Sequence, residues 1–414
     1  MVHHVALVLP TEFSYAREVM RGVIAATRDR NMYQAAAGPK PDGTPGPWIF
    51  RVYAGIYGHS RQYLSRWFEQ WKPDAIICQV YGHGLATLYR QLGIPVVELF
   101  ERTARSPFHR ILPDDIATGE LAARHFLERG YRHFAFFGLS SLSWARKRCD
   151  GFKAEIERAF EHRRENGLES EFTLASTGPF TFDEAVPPAD RRHAVEAGAW
   201  LRSLPKPLAL FAANDLWGFE LIQAARESGL NVPDDVAVLG VDNDELLCEV
   251  AHPPLSSIRI GGERMGRLAV SVLDDVLSGR RLATSIPPVP PVGVVSRQST
   301  DCMAVTDPDV AIALRRIRQQ AITGMSVKEL LAGVSVNRRT LERRFLRALG
   351  HTLLEEIHRV RLNRAKELLQ GDLPIYEVAQ RSGFSTPEYL ATSFLRSAGE
   401  TPTDYRRKYA VRGL

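Results

Sequence analysis

The chain has 414 residues, which exceeds one ordinary hydrophobic core and predicts two or three domains. With 44% hydrophobic and 24% charged residues, its composition excludes a largely disordered chain. The net charge of +5 is uneven, because residues 306–414 hold 19 Lys and Arg against 12 Asp and Glu, whereas the remainder holds 34 against 36. The positive excess therefore lies in the C-terminal quarter, as expected when only that part meets phosphate groups.

The cysteines and the N-terminus indicate the compartment. Four cysteines (Cys78, Cys149, Cys248 and Cys302) are widely separated and form no Cys-x-x-Cys motif. We expect buried free thiols in a reducing compartment, with no metal and no cofactor. The apolar run Val5–Leu9 is too short for a signal-peptide core or a membrane span. The sequence therefore predicts a cytoplasmic protein with no membrane partner.

Residues 1–298 alternate short apolar strands with amphipathic helices. Continuous apolar runs of strand length favour strands that are buried on both faces, as in a parallel sheet. The predicted strands are His4–Leu9, Ile49–Tyr53, Ala75–Cys78, Val96–Leu99, His133–Phe137, Leu208–Ala212 and Val236–Val241. The predicted helices are Ala16–Arg28, Tyr63–Trp71, Thr118–Arg129, Trp144–Phe160 and Leu216–Ser228. The alternation predicts two α/β lobes of parallel sheet covered by helices.

Polar and aromatic side chains follow several of these strands, where open α/β sheets bind their ligands. A sugar has hydroxyl groups that donate and accept, together with apolar ring faces, so its site needs carboxylates, amides, an arginine and an aromatic surface. The candidate ligand-binding residues are Ser14, Tyr15, Arg17, Trp144, Arg148, Asn214, Asp215 and Asp242. Packing alone does not explain so many polar groups at strand ends, and a sugar site is the hypothesis.

Some of these features have other interpretations. Asp215 is equally compatible with capping the helix that follows it, and Trp144 with a core position. The acidic run Asp242–Glu245 could bind a cation, but it lacks the glycine and the twelve-residue spacing of a calcium loop. Gly261–Gly266 superficially suggests a phosphate loop and is better interpreted as the start of a helix.

The next part of the chain joins two domains. Residues 286–296 are rich in proline and then β-branched, and they predict a segment that crosses back between the lobes. The polar residues 299–307 are the predicted linker. Pro308, with Asp307 before it as an N-cap, then begins an all-α domain over residues 308–414.

The all-α domain contains an internal repeat. Val327–Leu331 is followed by Thr340–Gly350, and Ile375–Ala379 is followed by Tyr389–Gly399. Both copies end in Phe-Leu-Arg-x-x-Gly, 49 residues apart, and each predicts a helix, a tight turn and a second helix. Two helix-turn-helix units in a basic segment can place two helices in successive major grooves of DNA.

The second helix of the first unit has a basic face. Leu341 and Phe345, four residues apart, form its predicted inner stripe. The residues turned outward are Arg338, Arg339, Glu342, Arg343 and Arg347. Four arginines beside one acid repel each other on a solvated face but fit phosphates and guanine edges. A merely solvated basic face is the alternative interpretation.

The corresponding helix of the second unit is less charged. Thr386 caps its predicted start, and Leu390 and Phe394 form its inner stripe. The outward residues are Glu388, Ala391 and Thr392, and Pro387 is the first residue of the helix. We expect this face to fit DNA by shape, with little electrostatic attraction. The predicted helix Leu353–Leu369 would hold the two units at a fixed separation.

Residues 306–414 resemble the DNA-binding domain of the AraC/XylS family of transcription regulators, with both repeats in order and the closing Gly-Glu-Thr-Pro-Thr-Asp-Tyr-Arg at 399–406. The resemblance implies that double-stranded operator DNA is a partner. The implied base-contacting residues are Arg339, Glu342, Arg343, Pro387, Glu388, Ala391 and Thr392. Pro387 and Ala391 depart from the polar residues usual in the second helix, and their side chains cannot donate hydrogen bonds to bases.

Residues 1–298 resemble the LacI/GalR-type, periplasmic-binding-protein-like effector domain, most clearly in Arg148–Phe152, Leu210–Asp215 and Val238–Glu245. Together with the AraC-like segment, and in residues 290–301, the chain resembles bacterial xylose-operon regulators of the XylR type. The resemblance implies a two-lobed sensor for a small sugar, with D-xylose as first choice. It also implies a homodimer that activates pentose-utilisation genes and acts with RNA polymerase.

Other classes of function remain. An enzyme of sugar metabolism with a fused DNA-binding domain is disfavoured, because no Gly-x-Ser-x-Gly, Walker or His-Glu-x-x-His motif is present. We therefore expect no catalytic residues. A regulator that responds to another sugar, or a sensor domain that serves only for dimerisation, also fits the sequence.

Overall fold

A computed structural model gives the fold over most of the chain. It describes residues 3–37, 48–54, 61–80, 82–101, 106–139, 141–168, 171–176, 191–280, 286–302, 304–305, 307–323, 327–331, 334–369 and 371–409. None of the helices in these ranges is long and apolar enough to cross a membrane.

The described residues form two α/β lobes followed by an all-α segment. The strands are β1 (His3–Leu9), β2 (Trp48–Ala54), β3 (Ala75–Cys78), β4 (Val96–Leu99), β5 (His109–Ile111), β6 (His133–Phe137), β7 (Thr173–Ser176), β8 (Leu208–Ala212), β9 (Val236–Val241), β10 (Ser256–Arg259) and β11 (Gly293–Val295). The helices of the two lobes are α1 (Ser14–Ala37), α2 (Arg61–Trp71), α3 (Gly82–Leu92), α4 (Asp115–Leu127), α5 (Ser143–Glu165), α6 (Arg191–Ser203), α7 (Asp215–Glu227), α8 (Glu245–Val250) and α9 (Gly262–Leu277). The C-terminal helices are α10 (Pro308–Gln320), α11 (Val327–Leu331), α12 (Arg338–Leu349), α13 (Leu353–Leu369), α14 (Ile375–Arg381), α15 (Pro387–Ala398) and α16 (Pro402–Tyr409).

Each lobe has its own sheet. In the first lobe the strand order is β2-β1-β3-β4-β5, and all the pairings are parallel. In the second lobe the order is β11-β10-β9-β8-β6-β7, and β11 pairs antiparallel whereas the other described strands pair in parallel. The central strands are buried along their whole length because their apolar runs are continuous and helices cover both faces. The carboxyl ends of these strands face the space between the lobes.

Three chain crossings join the lobes and form the hinge: residues 112–114, 260–261 and 286–292. The first and third are hydrogen-bonded side by side, with the Asp114 amide donating to the Val289 carbonyl at 2.7 Å and the Val289 amide to the Leu112 carbonyl at 2.8 Å. In the third, the Val292 amide donates to the carbonyl of Arg259, next to the second crossing, at 2.8 Å. Three paired crossings restrict the lobes to hinge-like motion.

Two helix-turn-helix units, α11–α12 and α14–α15, occupy the all-α segment. Asn337 caps α12 by accepting from the Thr340 amide at 3.0 Å, and Thr386 caps α15 by accepting from the Tyr389 amide at 3.2 Å. Both helices end at a glycine of positive φ, Gly350 and Gly399, which the repeat places at equivalent positions.

Helix α13 fixes the separation of the two units. Leu353 and Ile357, near its start, belong to the core of the first unit together with residues of α10 and α12. Leu362 and Leu369, in its second half, belong to the core of the second unit. A single helix therefore contributes to both cores, as the sequence predicted.

The predicted strands agree with the structure to within one residue at each end, whereas β5, β7, β10 and β11 were not predicted. Gly262 is the first residue of α9, so Gly261–Gly266 begins a helix, as interpreted. The division of the chain at residues 298 and 308 stays a prediction. Within the predicted linker, residues 303 and 306 lie outside the described residues, as do residues 410–414 of the predicted DNA-binding domain.

The first two residues of the predicted linker are buried in the second lobe. The Ser299 hydroxyl donates to the Val238 carbonyl at 2.6 Å, and the Thr300 hydroxyl donates to Ser256 Oγ at 2.8 Å. Linker residues that are hydrogen-bonded to the sheet cannot act as a free tether. The chain is bonded to this lobe as far as Ala304, whose amide donates to the Arg129 carbonyl at 2.9 Å.

Helices α4 and α5 pack unusually closely, and two glycines permit it. A Cβ atom at Gly119 would lie 2.0 Å from the carbonyl oxygen of Arg148, and one at Gly151 would lie 2.1 Å from that of Ile116. Such distances are far below van der Waals contact, so the two backbones can touch only where no side chain intervenes. This contact fixes the first turns of both helices relative to each other.

Replacing Gly119 with alanine is therefore expected to lower the free energy of unfolding by about 1–3 kcal/mol, because the helices must separate to admit the methyl group. Urea-induced unfolding measures the change. Gly84→Ala on α3 is the matched control, since nothing lies within 4 Å of its added Cβ, and it should stabilise by up to about 1 kcal/mol. Equal effects of the two variants would contradict this packing argument.

Candidate functional site

A cavity of about 420 Å³ lies between the lobes at the carboxyl ends of the strands. All the residues predicted to bind a ligand line it: Ser14, Tyr15, Arg17, Trp144, Arg148, Asn214, Asp215 and Asp242. They come from α1 in the first lobe and from α5, α7 and the end of β9 in the second. The volume lies in the range of small-molecule pockets, about 300–1,000 Å³.

Arg148 is the buried cation of the cavity. Its side chain is only 5% exposed, and Nε donates to Asp115 Oδ1 at 2.9 Å while Nη1 donates to the Ala213 carbonyl at 2.5 Å. Nη2 lies 4.0 Å from Asp242 Oδ1. The guanidinium also lies 4.8 Å from the ring centroid of Trp144. A buried guanidinium needs such partners, and here they hold it between two carboxylates.

Asp242 lies in a strained backbone conformation. Its φ is +104°, and the φ of Asn243 is +49°, values that L-residues rarely adopt. The next two backbone amides are held by side chains, because that of Asn243 donates to Ser257 Oγ at 3.0 Å and that of Asp244 donates to Asp215 Oδ2 at 2.7 Å. These bonds hold the loop so that the Asp242 carboxylate faces the cavity.

Asp215 supports this loop and does not cap α7. The N-cap is Asn214, whose side-chain oxygen accepts from the Trp217 amide at 3.0 Å, so the capping interpretation of Asp215 was wrong. Asp215 is 2% exposed, and Oδ1 accepts from the Ser257 hydroxyl at 2.5 Å. Its other oxygen accepts from the Asp244 amide and the Cys248 thiol. Because protein donors occupy both oxygens, its geometry favours holding the loop over contacting a ligand.

Aromatic rings line the side of the cavity that belongs to the first lobe. Tyr15 packs edge-on against Phe100, with centroids 4.5 Å apart, and is stacked on Phe13 at 5.5 Å. The Tyr15 hydroxyl donates to Gln79 Oε1 at 3.2 Å. Trp144 lies on the opposite lobe. It is partly buried beside the core, and it also lines the cavity.

Among the described residues, two ion pairs cross the cleft between the lobes. Arg17 of α1 reaches Asp244 of the second lobe at 3.2 Å and also donates to the carbonyls of Thr11 and Glu12. Lys147 of α5 pairs with Glu101, which follows β4 of the first lobe. We call these two contacts the interlobe ion pairs. Each couples the separation of the lobes to a charge at the edge of the cavity.

Burial perturbs the acids of the cavity. It raises the pKa of Asp242 to about 7, against the opposing effect of Arg148, and the neighbouring acids Asp115, Glu18 and Asp244 raise it further. Burial also raises the pKa of Asp115, although Arg148 opposes this change. Asp242 remains 17% exposed toward the cavity, so a ligand can reach its carboxylate. Within the described residues, no group of three acidic, His or Cys side chains could hold a metal ion.

The sequence interpretation missed several lining residues. Gln79, Phe100 and Glu101 directly follow strands that were predicted correctly, so the strand-end rule could have found them. Asp115 follows β5, a strand of three residues with mixed polarity that gives no periodic signal. Arg148 reaches Asp115 only through the α4–α5 contact, which a linear sequence does not reveal.

A second candidate site is the outer face of the first helix-turn-helix unit. Arg339, Arg343 and Arg347 lie four residues apart on α12 and are exposed, and no acid among the described residues pairs with them. Arg338 is instead paired with Glu342 at 2.8 Å. Leu341 and Phe345 are fully buried, as predicted. Three aligned guanidinium groups give this face the chemistry of a phosphate- and guanine-binding surface.

The corresponding face of α15 is less polar. Glu388 and Thr392 are exposed, and Pro387 and Ala391 are partly exposed. The Thr392 hydroxyl donates to the Glu388 carbonyl of its own helix at 2.9 Å, so its hydrogen is already engaged. That the second unit contributes shape more than hydrogen bonds to DNA stays a prediction.

Comparison with known proteins gives the family. A periplasmic binding protein-like domain matches residues 123–300, and a helix-turn-helix domain matches residues 330–408. The xylose operon regulatory protein of Escherichia coli strain K12 is 30% identical over 348 residues, which cover 82% of this chain and 85% of that protein. This chain belongs to the family of xylose operon regulatory proteins. The Haemophilus influenzae strain Rd member is 28% identical over 361 residues, covering 83% and 87% of the two chains.

Solved structures agree with the assignment of this chain to the family of xylose operon regulatory proteins. A xylose-binding transcription activator, XylR, matches with a TM-score of 0.56 and 26% identity over 99% of both chains. The transcriptional regulator CelR in complex with cellobiose matches 72% of this chain and 84% of its own, with a TM-score of 0.50 and 23% identity, and shows the sensor fold alone. These matches confirm the predicted resemblance and the predicted fold class.

Proposed function

We propose that this protein is a sugar-responsive, DNA-binding transcription regulator that activates pentose-utilisation genes, with D-xylose as its effector. The observation that supports the proposal best is the cavity at the strand ends of both lobes, in a chain that also has two helix-turn-helix units. Its relatives are named as xylose operon regulators and a xylose-binding activator. Those names favour D-xylose over other small sugars.

The cavity offers the groups that a sugar needs. The Asp242 carboxylate can accept hydrogen bonds from two hydroxyl groups, while Asn214 and Arg148 supply amide and guanidinium groups beside it. Tyr15 and Trp144, on opposite lobes, can cover the apolar ring faces. Ser14 and Arg17 lie near the start of α1, in the first lobe. A bound sugar would therefore contact both lobes at once and favour their closure.

We propose that the exposed face of α12 makes the main base contacts, through Arg339, Glu342 and Arg343, with Arg338 and Arg347 near phosphates. The face of α15 would add shape contacts through Pro387, Glu388, Ala391 and Thr392. We further propose a homodimer on two operator half-sites that acts with RNA polymerase in the cytoplasm. Titration calorimetry of the purified protein against a pentose and hexose panel tests the sensing role. Binding of none of these sugars would favour a sensor that serves only for dimerisation, and turnover of one would favour an enzyme.

The first prediction concerns the carboxylate in the cavity. Asp242→Asn preserves the shape but replaces an acceptor-only group with one that also donates, and it should abolish stabilisation by D-xylose. When the D-xylose concentration is about one hundred times Kd, the free energy of unfolding of the wild-type protein should rise by about 2.7 kcal/mol. Thermal unfolding with and without D-xylose measures the difference. Asp150→Asn, exposed on α5, is the matched control. If D-xylose stabilised Asp242→Asn as much as the wild type, Asp242 would not be a residue that contacts the sugar.

A second prediction follows from the pKa of about 7 at Asp242. Sugar hydroxyls donate best to the ionised carboxylate, so binding should lower this pKa and release a proton near neutral pH. Affinity should rise with pH through 7 and level off above it, with roughly tenfold weaker binding at pH 6 than at pH 8. Calorimetry in buffers of different ionisation enthalpy measures the proton.

In the absence of sugar, the stability of the fold changes with pH in the opposite direction to the affinity. Because the pKa of Asp242 is raised in the folded state, the unfolded chain loses this proton first, and the free energy of unfolding falls as pH rises from about 4 to 7. Four charged groups face the carboxylate: Arg148 on α5, Asp115 on α4, Glu18 on α1 and Asp244 on its own loop. Burial also raises the pKa of Glu18 to about 7, so Asp242→Asn separates the two contributions.

A D-xylose affinity that is constant from pH 6 to pH 8 would contradict the assignment of Asp242 as the titrating carboxylate that binds the sugar.

A third prediction separates base contacts from phosphate contacts on α12. Arg343→Ala should weaken binding to the preferred duplex by about 1–3 kcal/mol and relax preference at one base pair. Arg347→Ala should weaken binding to all sequences alike and reduce the slope of log affinity against log salt by about 1. Fluorescence anisotropy with selected and random duplexes measures both. Identical behaviour of the two variants would show that the base-contacting assignment is wrong.

A further inference from the structure

Helices α4 and α5 both run from the sugar cavity toward the DNA-binding segment, residues 308–409. Helix α4 begins with Asp115, which binds Arg148 inside the cavity. Helix α5 presents Trp144 and Arg148 to the same cavity in its first two turns. The two helices are parallel, and each is about 20 Å or more in length. Both are therefore long enough to connect the cavity with the other end of the second lobe.

The pair can move only as one body. The backbones touch at Gly119 and Gly151, where an added Cβ would lie 2.0 and 2.1 Å from a carbonyl of the other helix. Arg124 of α4 pairs with Glu155 of α5 at 3.3 Å, one to two turns farther along. A tilt of either helix at the cavity is thus transmitted to the far ends of both.

The far end of α4 is bound to the DNA-binding segment. The carbonyl of Glu128, the residue after α4, accepts from Arg318 Nη2 of α10 at 2.6 Å, and its carboxylate pairs with Arg359 of α13. Arg359 is held in turn by Glu356, which is fully buried and accepts at 2.6 and 2.8 Å. Helix α13 contributes to the cores of both helix-turn-helix units, so this contact reaches both.

The far end of α5 reaches the helix proposed to contact DNA. Arg163 is 8% exposed and donates through Nη2 to the carbonyl of Arg347, in the last turn of α12, at 3.0 Å. A Cβ at Gly350 would lie 2.9 Å from Arg163 Nη1, so this glycine leaves room for the guanidinium. A cation at the C-terminal end of a helix is favoured by the helix dipole. A sensor residue therefore fixes the end of the helix that carries Arg343.

We propose that Arg163 and Glu128 are positioning residues, through which the rigid α4–α5 pair sets the orientation of α12 and α13 according to whether the cavity is filled. The inference rests on the proposed function, since it needs a sugar that moves Arg148 and Asp115. The α4–α5 pair would couple the cavity to the DNA-binding segment through two contacts, Arg163 with the Arg347 carbonyl and Glu128 with Arg359. Neither Arg163 nor Glu128 lines the cavity, and neither belongs to the faces of α12 and α15 that we propose to contact DNA.

The test uses the full chain, D-xylose, and a duplex selected by the wild-type protein from a random library in the presence of D-xylose. Arg163→Gln and Glu128→Gln each remove one contact. Arg164→Gln and Glu157→Gln are matched controls on α5, since among the described residues each of them pairs only with another residue of the same helix. Calorimetry measures the Kd for D-xylose, and anisotropy measures the ratio of DNA affinities with and without it.

Typical allosteric couplings are about 5–150-fold, and we expect the wild type and both controls to lie in that range. Arg163→Gln and Glu128→Gln should keep the D-xylose Kd but bring the ratio close to one. Arg163→Lys keeps the positive charge and a single donor nitrogen, so it should retain part of the effect of D-xylose on DNA affinity. Should Arg163→Gln fail to fold, Glu128→Gln and Arg163→Lys decide the matter. Hydrogen exchange at residues 346–351 should respond to D-xylose in the wild type and not in Arg163→Gln, a change that a merely stabilising contact does not predict.

Wild-type ratios in Arg163→Gln and Glu128→Gln, with folded protein and intact sugar binding, would overturn the proposal and leave the proposed function standing. A wild-type protein that binds no D-xylose, or whose DNA affinity ignores it, would instead overturn the proposed function, and this inference with it.

Discussion

The sensor depends on one buried charge, the guanidinium of Arg148. A cation that is 5% exposed is stable only with partners, and it takes them from Asp115, Asp242 and the carbonyl of Ala213. These three groups lie at the start of α4, at the end of β9 and just after β8. Satisfying one guanidinium therefore brings three strand and helix ends to a single point, and that point is the floor of the cavity.

The strained loop at Asp242 belongs to the same arrangement. A φ of +104° costs free energy, and it persists because Ser257 and Asp215 hold the next two amides. Asp215 is itself costly to bury, and burial raises its pKa well above the usual range. The second lobe is therefore less stable than it would be without this loop, and in return the carboxylate of Asp242 is already in place before a ligand binds. A preorganised carboxylate needs little rearrangement on binding, which favours affinity for a small polar ligand.

The sequence allowed much of this to be predicted, and the failures have physical causes. Long apolar runs such as β8 and β9 specify buried parallel strands, so their bounds and the polar residues behind them were predictable. Short strands such as β5 and β11 form because neighbouring chain supplies hydrogen bonds, and three residues are too few to show the pattern of a strand. Asp215 was ambiguous for the same reason, since a cap and a loop support differ only in tertiary contacts. The α4–α5 contact was also missed, because Gly119 and Gly151 resemble ordinary helix glycines in sequence.

The junction between the domains differs in kind from the cores on either side of it. Within the DNA-binding segment, Leu341, Phe345 and Leu314 are fully buried, and separating them would expose apolar surface at a large cost. At the junction the contacts include Glu128 with Arg359 and Arg163 with a carbonyl, where desolvation offsets much of the Coulombic attraction. Such contacts specify geometry but contribute little net free energy. A sugar that moves α4 and α5 can therefore change the orientation of the DNA-binding segment without unfolding it, since the apolar cores keep each body intact while the polar contacts between them exchange.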